Sequence, residues 1–156
     1  MKVTLRSVLP ADAKPIARIL HQNKCAAEFS QQESKFQENR VRMYLQEISE
    51  TPHSWVFVAV IPSGLVIGYI HCILIPVMFS PAPQLLISQL YVAPEQQSEG
   101  VEAQMLAYAE SVAEENHAVQ IEVQALIKDT ETLRTAGYEE LGTAPWGKSL
   151  LKDKQG

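Results

Sequence analysis

The chain has 156 residues, 46% of them hydrophobic and 20% charged, an ordinary globular composition and enough for one compact domain spanning residues 1–156. Its net charge of −5 argues against nucleic acid or an anionic membrane surface as the main partner, because both are gripped by basic patches. From Met43 to Ile127 there is no Lys or Arg while nine glutamates fall there, so the acidity is concentrated in the middle of the chain.

VTLRSVL alternates apolar and polar residues and predicts a half-buried strand closed by Pro10. Asp12 stands where a helix N-cap belongs, Pro15 fits a first turn, and Ile16, Ile19 and Leu20 share one face of the helix that follows. Ser30-Gln31-Gln32-Glu33 has capping-box spacing and opens a second helix, with Phe36, Val41, Tyr44, Leu45 and Ile48 as its apolar stripe up to Thr51-Pro52. The β-branched and aromatic runs WVFVAVI and LVIGYIHCILI, separated by Pro62-Ser63-Gly64, predict a hairpin of two long strands. PVMFSPAP, with three prolines, is a loop, and QLLISQLYV is a third strand. From Gly100 to near Asn116, Val101, Met105, Tyr108 and Val112 form a helical seam; AVQIEV then alternates as a strand, Asp129 to Thr135 forms a short helix, and WGKSLL is a last strand.

That order, β-α-α-β-β-β-α-β-α-β, predicts an α+β fold: a single mixed, largely antiparallel sheet flanked by helices. The strand-helix-strand crossover pairs LISQLYV with VQIEV in parallel, and their C-terminal ends make a crevice. Cys25 and Cys72 give neither a disulfide framework nor a zinc spacing, so no metal is expected and a reducing compartment fits. The N-terminal stretch lacks the apolar run of a signal peptide and no segment has the length to cross a bilayer, so a cytoplasmic chain with no membrane partner is expected.

The stretch LYVAPEQQSEGVEAQML is a strand that stops at a proline, a polar loop, and a helix entered at one glycine. Such junctions cradle phosphate on free backbone N–H groups, yet this one carries three glutamates and no Lys or Arg. With Leu90, Tyr91, Val92 and Pro94 ahead of a helix opening at Gly100, it resembles the acetyl-CoA-binding motif of the GNAT-type N-acetyltransferase superfamily. The LRSVLPADAKPIARIL opening, the IPSGLVIGYI hairpin and the TLRTAGYEELGT segment extend that resemblance over nearly the whole chain.

The resemblance implies a GNAT-like fold in which the central parallel pair splays beside a bulge, so that pantetheine pairs with main-chain groups near Leu90 and Val92 while Tyr91 packs nearby. It implies a diphosphate held by Gln97, Ser98, Glu99, Gly100, Val101 and Glu102, where the family reads Arg or Gln, x, x, Gly, x, then Gly or Ala; Glu102 breaks the last place. Carboxylates in that turn compete for the N–H groups of the helix end, an interaction of about 0.3–1 kcal/mol per charge. Any compensating cation comes from Lys128, Arg134 or Lys148 in the flanks. The glutamates also have a simpler role in starting the helix, with Glu110, Glu114 and Glu115 as its solvated face.

Where many members carry a glutamate base this chain has Gln89, and where many carry a tyrosine acid, four residues before the Gly137-Tyr138 pair, it has Leu133. The family's Asn and Ala earlier in that segment correspond to Leu126 and Asp129. His71, inside GYIHCILI, is the remaining candidate base, against the simpler reading of a hydrogen-bonded core histidine. His53 reads as a loop residue, His117 as a helix cap, Cys25 and Cys72 as small apolar fillers, and Tyr91 as either a cofactor contact or a cover for the sheet.

Two functions follow from the resemblance. One is transfer of an acetyl group from acetyl-CoA to a primary amine of a cationic small molecule or a protein, suited by an acidic wall around the acceptor. The other is a GNAT-fold binding module with lost or weak acetyl-CoA binding, a homodimer through exposed sheet edges or the PVMFSPAP loop.

Overall fold

In the computed structural model, which describes residues 1–24, 27–125, 130–142 and 148, five strands form one sheet in the order β1-β2-β3-β4-β5. They are β1 (Thr4–Ser7), β2 (Ser54–Val60), β3 (Val66–Ile75), β4 (Gln84–Val92) and β5 (Gln120–Val123). The first four pair antiparallel; β4 and β5 are parallel and joined by helix α4 (Val101–Glu115). Helices α1 (Ala13–Gln22), α2 (Ala27–Ser30) and α3 (Ser34–Glu50) precede β2, and α5 (Thr130–Thr135) follows β5. Of the strand expected in WGKSLL only Lys148 is described, and it is not in a strand; Cys25 lies outside the described residues, and β5 is the edge of the sheet among those that are described.

Each face of the sheet has its own core. On one, α4 buries Val101, Met105, Leu106 and Ala109 against Ile67, Ile70, Leu85, Ile87, Leu90 and Val92. On the other, α1 and α3 bury Ile16, Ile19, Val41 and Leu45 against Val56, Val58 and Tyr69. Gly68 stands where β3, β4 and α4 crowd together: a Cβ there would meet the Tyr91 carbonyl oxygen at 3.0 Å and Met105 Sδ at 3.2 Å.

Two bulges decide which side chains face which core. The β2–β3 register skips Ile67 (Ala59 pairs Gly68, Val60 pairs Val66), and the β3–β4 register skips Ser88 (His71 pairs Gln89, Cys72 pairs Ile87). Because side chains alternate with period two, an extra residue reverses the faces beyond it. Leu85 and Ile87 point to the α4 side before Ser88, and Leu90 and Val92 do so after it.

Three local expectations are corrected. The Ser30–Glu33 capping box is not used: α2 ends at Ser30 and α3 starts at Ser34 with Glu33 as an N-cap that makes no side-chain bond. Buried Gln37 stitches this reversal instead, its Nε2 donating to the carbonyls of Phe29 (2.7 Å) and Gln32 (3.2 Å). Gln37 therefore takes the inward position expected for Phe36, which is exposed. Asp12 does precede α1 but does not cap it: its carboxylate accepts from the Leu9 N–H (2.7 Å) and from both terminal nitrogens of Arg6 (2.8 and 3.0 Å). The end of α4 is closed by Asn116, whose amide donates to the Val112 carbonyl at 2.8 Å, and by left-handed His117 (φ 57°), whose N–H donates to the Glu114 carbonyl at 3.1 Å.

Burial pushes the Asp12 carboxyl upward, but the Arg6 and Leu9 hydrogen bonds outweigh it and hold the group below its ordinary value. Arg6→Ala strands a buried carboxylate, and Arg6 itself is 37% exposed, so the loss is screened. Urea unfolding of this variant is expected to give a stability lower by about 1–3 kcal/mol.

Candidate active site

Strands β4 and β5 pair only over Gln84–Ile87 and Gln120–Val123, with the Gln124 N–H closing the ladder on the Ile87 carbonyl at 3.0 Å. The bulge at Ser88 follows at once, and from there to Val92 no strand pairs with that side of β4 among the described residues. The Val92 carbonyl points away from β3, since it accepts from Asn23 Nδ2 (3.0 Å) and Gln97 Nε2 (3.1 Å). By alternation, the main-chain groups of Leu90 point into the same gap.

At the head of the gap, β4 runs through a short 3-10 turn, Pro94–Gln96, into the loop before α4. The Gln97 side chain is committed to this loop, bridging the Val92 carbonyl and Asn23 Oδ1 (3.0 Å) at the end of α1. Ser98 and Gly100 both have left-handed backbones, φ 75° and 78°, and the non-glycine costs about 1 kcal/mol or more. Gly100 is the N-cap of α4 and supplies no side-chain cap, so the first N–H groups of that helix face the loop. The Met1 ammonium donates to the Glu99 carbonyl at 3.3 Å.

On the α1/α3 face, beside the start of the gap, lies a chain of five polar side chains. The Tyr69 hydroxyl donates to Gln89 Oε1 (2.9 Å), and Gln89 Nε2 donates to the Tyr44 hydroxyl (3.4 Å). Tyr44 meets His71 Nδ1, and His71 Nε2 meets Ser54 Oγ at 2.7 Å. These donors order the chain: Tyr44 accepts from Gln89 and gives its own hydrogen to Nδ1, which leaves the His71 proton on Nε2 toward Ser54. His71 is buried, which lowers its pKa below the ordinary value, and burial raises Tyr44 to about 12 against the opposing Gln89 bond. Burial thus favours the neutral form of His71. Tyr44, Tyr69 and Gln89 also line a cavity of about 210 Å³ between α1 and α3.

A family comparison matches residues 17–135 to the Acetyltransferase (GNAT) family. The chain belongs to the GNAT acetyltransferase family. A comparison with curated proteins finds no similar sequence. Among solved structures, a transcriptional regulator from Bacillus halodurans C-125 is 14% identical with a TM-score of 0.80, over 95% of this chain and 100% of that one. A GNAT family acetyltransferase from Staphylococcus aureus is 15% identical with a TM-score of 0.74, over 96% and 100%. AAC(6')-Iy, in complex with the bisubstrate analog CoA-S-monomethyl-acetylneamine, is 14% identical with a TM-score of 0.71, over 96% and 99%. At these identities the structures speak for the fold alone.

Several family positions of this GNAT chain are now placed. Gln89 sits on the α1/α3 face within the polar chain, and Leu133 is half-buried in the α4-side core. Tyr138 packs on that same far side and donates to Glu110 Oε1 at 3.2 Å; burial first, and then Glu110, push its hydroxyl upward, so it stays protonated. Glu110 is thus not part of a purely solvated face. Cys72 is a core filler whose thiol burial pushes up to about 12. Tyr91 covers the α1/α3 side, its ring 5.6 Å from that of Tyr69. Glu99 is exposed and Glu102 lies in the first turn of α4. Arg134 pairs with Glu131 at 3.8 Å, Lys148 is exposed, and Leu126, Lys128 and Asp129 lie outside the described residues. Among the described residues no cluster of His, Cys, Asp or Glu could hold a metal, and no helix is long and apolar enough to cross a membrane.

The sequence reading named His71 and Gln89 but missed Tyr44, Tyr69 and Ser54 as their partners. Tyr44 was visible only as one member of an apolar stripe.

Because the folded pKa of His71 lies below its unfolded value, the neutral form contributes stability that is complete above about pH 6.5. That contribution is lost as pH falls through the folded pKa. Unfolding free energies of wild type are expected to decline on acidification below pH 6.5, and His71→Gln is expected to flatten that decline.

Proposed function

We propose that this protein transfers an acetyl group from acetyl-CoA to the primary amine of a small molecule or protein. The observation that supports this best is the coincidence of the Ser88 bulge with the end of β4–β5 pairing at Ile87, which opens a gap beside Leu90 and Val92. Leu90 main-chain groups and the Val92 N–H would hold the thioester arm. The Gln97–Glu102 turn and the start of α4 would hold the diphosphate, with the Gln97 side chain bracing the turn from behind. When bound, acetyl-CoA supplies the acetyl group as a thioester, whose sulfur leaves with the bonding pair as the amine nitrogen takes its place.

The residues of this chain manage the proton. The Tyr44 oxygen, at the cavity floor, accepts it from the amine while the Tyr44 hydrogen moves to Nδ1 of neutral His71. Ser54 holds the other ring nitrogen and Gln89 orients Tyr44. Gln89 thereby serves without being a base, and buried His71 keeps the proton only briefly.

Three measurements test this reading. Calorimetry is expected to detect acetyl-CoA binding; no heat and no thermal shift at millimolar cofactor would count decisively against it. Glu99→Lys with Glu102→Gly removes two carboxylates from the helix end and is expected to tighten that binding about tenfold. Tyr44→Phe is expected to lower kcat by about 100-fold or more while leaving acetyl-CoA affinity unchanged.

A second reading, a binding module, draws support from Met78 and Phe79, which stand out of the PVMFSPAP loop almost fully exposed. Sedimentation of wild type against Met78→Ser/Phe79→Ser distinguishes a homodimer through that loop from a monomer.

A further inference from the structure

The cavity that ends on Tyr44 and Gln89 has a chemistry of its own, set by what surrounds it. Its walls come from three helices: Ile16 and Leu20 on α1, Phe29 on α2, and Val41 and Met43 on α3. Apart from the floor, the charged groups that line it are Arg40 and Glu47, one of each sign. The acidic run of the sequence therefore does not converge here. Glu110 and Glu114 stand on α4, on the opposite face of the sheet, and Glu95, Glu99 and Glu102 belong to the loop before α4 and its first turn.

We propose that the acceptor is a compact primary monoamine with an apolar body, an arylalkyl or branched-alkyl amine, that seats its body between α1 and α3 and its nitrogen at Tyr44. This rests on the acetyl-transfer reading and narrows its substrate. Size argues first: about 210 Å³ is below the ~300–1,000 Å³ typical of pockets for drug-sized ligands. Charge argues next. The second and third ammonium groups of a polyamine would lose water without meeting a surplus of carboxylates. An apolar body, by contrast, gains by leaving water for these walls.

The floor suits a single nitrogen. Tyr44 Oη and Gln89 Oε1 are oxygen acceptors at the end of a mainly apolar cavity. Such surroundings disfavour the charged form of an amine and lower its pKa, so more of it is present as the unprotonated nucleophile. A protein acceptor fits less well, because a polypeptide needs partners for its own N–H and C=O groups and these walls are mainly apolar.

The test has a binding arm and a turnover arm. Thiol release from acetyl-CoA is measured with 2-phenylethylamine, with spermidine, and with a peptide bearing a free N-terminus and a lysine. The arylalkyl amine is expected to show a kcat/KM at least tenfold above the others. Calorimetric titration of 2-phenylethylamine into the protein without acetyl-CoA is expected to show saturable binding. Met43→Glu changes a side chain that is 56% exposed, so folding is not at stake. It is expected to raise the KM and the Kd for the arylalkyl amine at least fivefold while kcat and acetyl-CoA affinity hold.

Preference for spermidine or the peptide, or amine binding indifferent to Met43→Glu, overturns the proposal. Should no amine be acetylated while 2-phenylethylamine still binds and Met43→Glu still weakens it, the transferase reading falls and the amine pocket stands.

Discussion

One extra residue in β4 shapes the half of this molecule that holds the candidate site. With His71 opposite Gln89 and Cys72 opposite Ile87, Ser88 has no partner position and must bulge. A bulge bends its strand and adds twist, and here it falls one residue after the last parallel contact with β5. The same residue reverses the side-chain alternation. Were Ser88 in register, Gln89 would be driven into the apolar core under α4 and Leu90 would replace it beneath Tyr44. The gap in the sheet and the polar floor of the cavity are thus two results of one backbone irregularity.

The second constraint is polar satisfaction. A histidine in a strand otherwise packed with Ile and Cys is costly unless both ring nitrogens are engaged. Ser54 from β2 and Tyr44 from α3 engage them, and Gln89 with Tyr69 completes the chain. Glutamine suits its position because it both donates and accepts: it takes a hydrogen from Tyr69 and gives one to Tyr44. A glutamate there could not donate to Tyr44, and Tyr44 would turn its hydrogen toward the carboxylate and away from His71. Gln89 in place of an acid is therefore coherent with the proposal that His71 takes the proton.

Much of the architecture was legible in the sequence because its signals are local. The Pro62-Ser63-Gly64 hairpin, the prolines of PVMFSPAP, and the seam from Val101 to Val112 each announce an element from neighbouring residues alone, and each element is found. What escaped depends on residues distant in the chain. Gln37 replaces a plausible capping box because it reaches Phe29 and Gln32 across a turn, and Arg6 claims Asp12 from the preceding strand. Tyr44 joined the site unseen for the same reason. A tyrosine in a helical stripe reads as core until the bulge at Ser88 determines which strand residues lie beneath it, and a bulge leaves no mark in hydrophobic periodicity beyond one displaced polar residue.

The loop before α4 poses the remaining tension, carboxylates beside a helix end that favours anions. Its geometry answers part of it. Asn23 and Gln97 tie the loop to α1 and to the Val92 carbonyl, Gln104 ties the first turn of α4 to the Met1 carbonyl and the Val3 N–H, and Ser98 keeps its strained left-handed backbone within that frame. A turn held by its own side chains loses little freedom if an anion docks, so main-chain N–H groups already in place would work against the repulsion from Glu99 and Glu102. On the acetyl-CoA reading, affinity for a diphosphate here would be a contest between preorganised backbone and local charge. Because Glu99 is exposed, salt weakens its repulsion, and it weakens the pull of the helix end as well, so the main-chain hydrogen bonds are the part that salt touches least. Added salt should consequently change anion affinity at this loop less than it does where lysine or arginine does the holding.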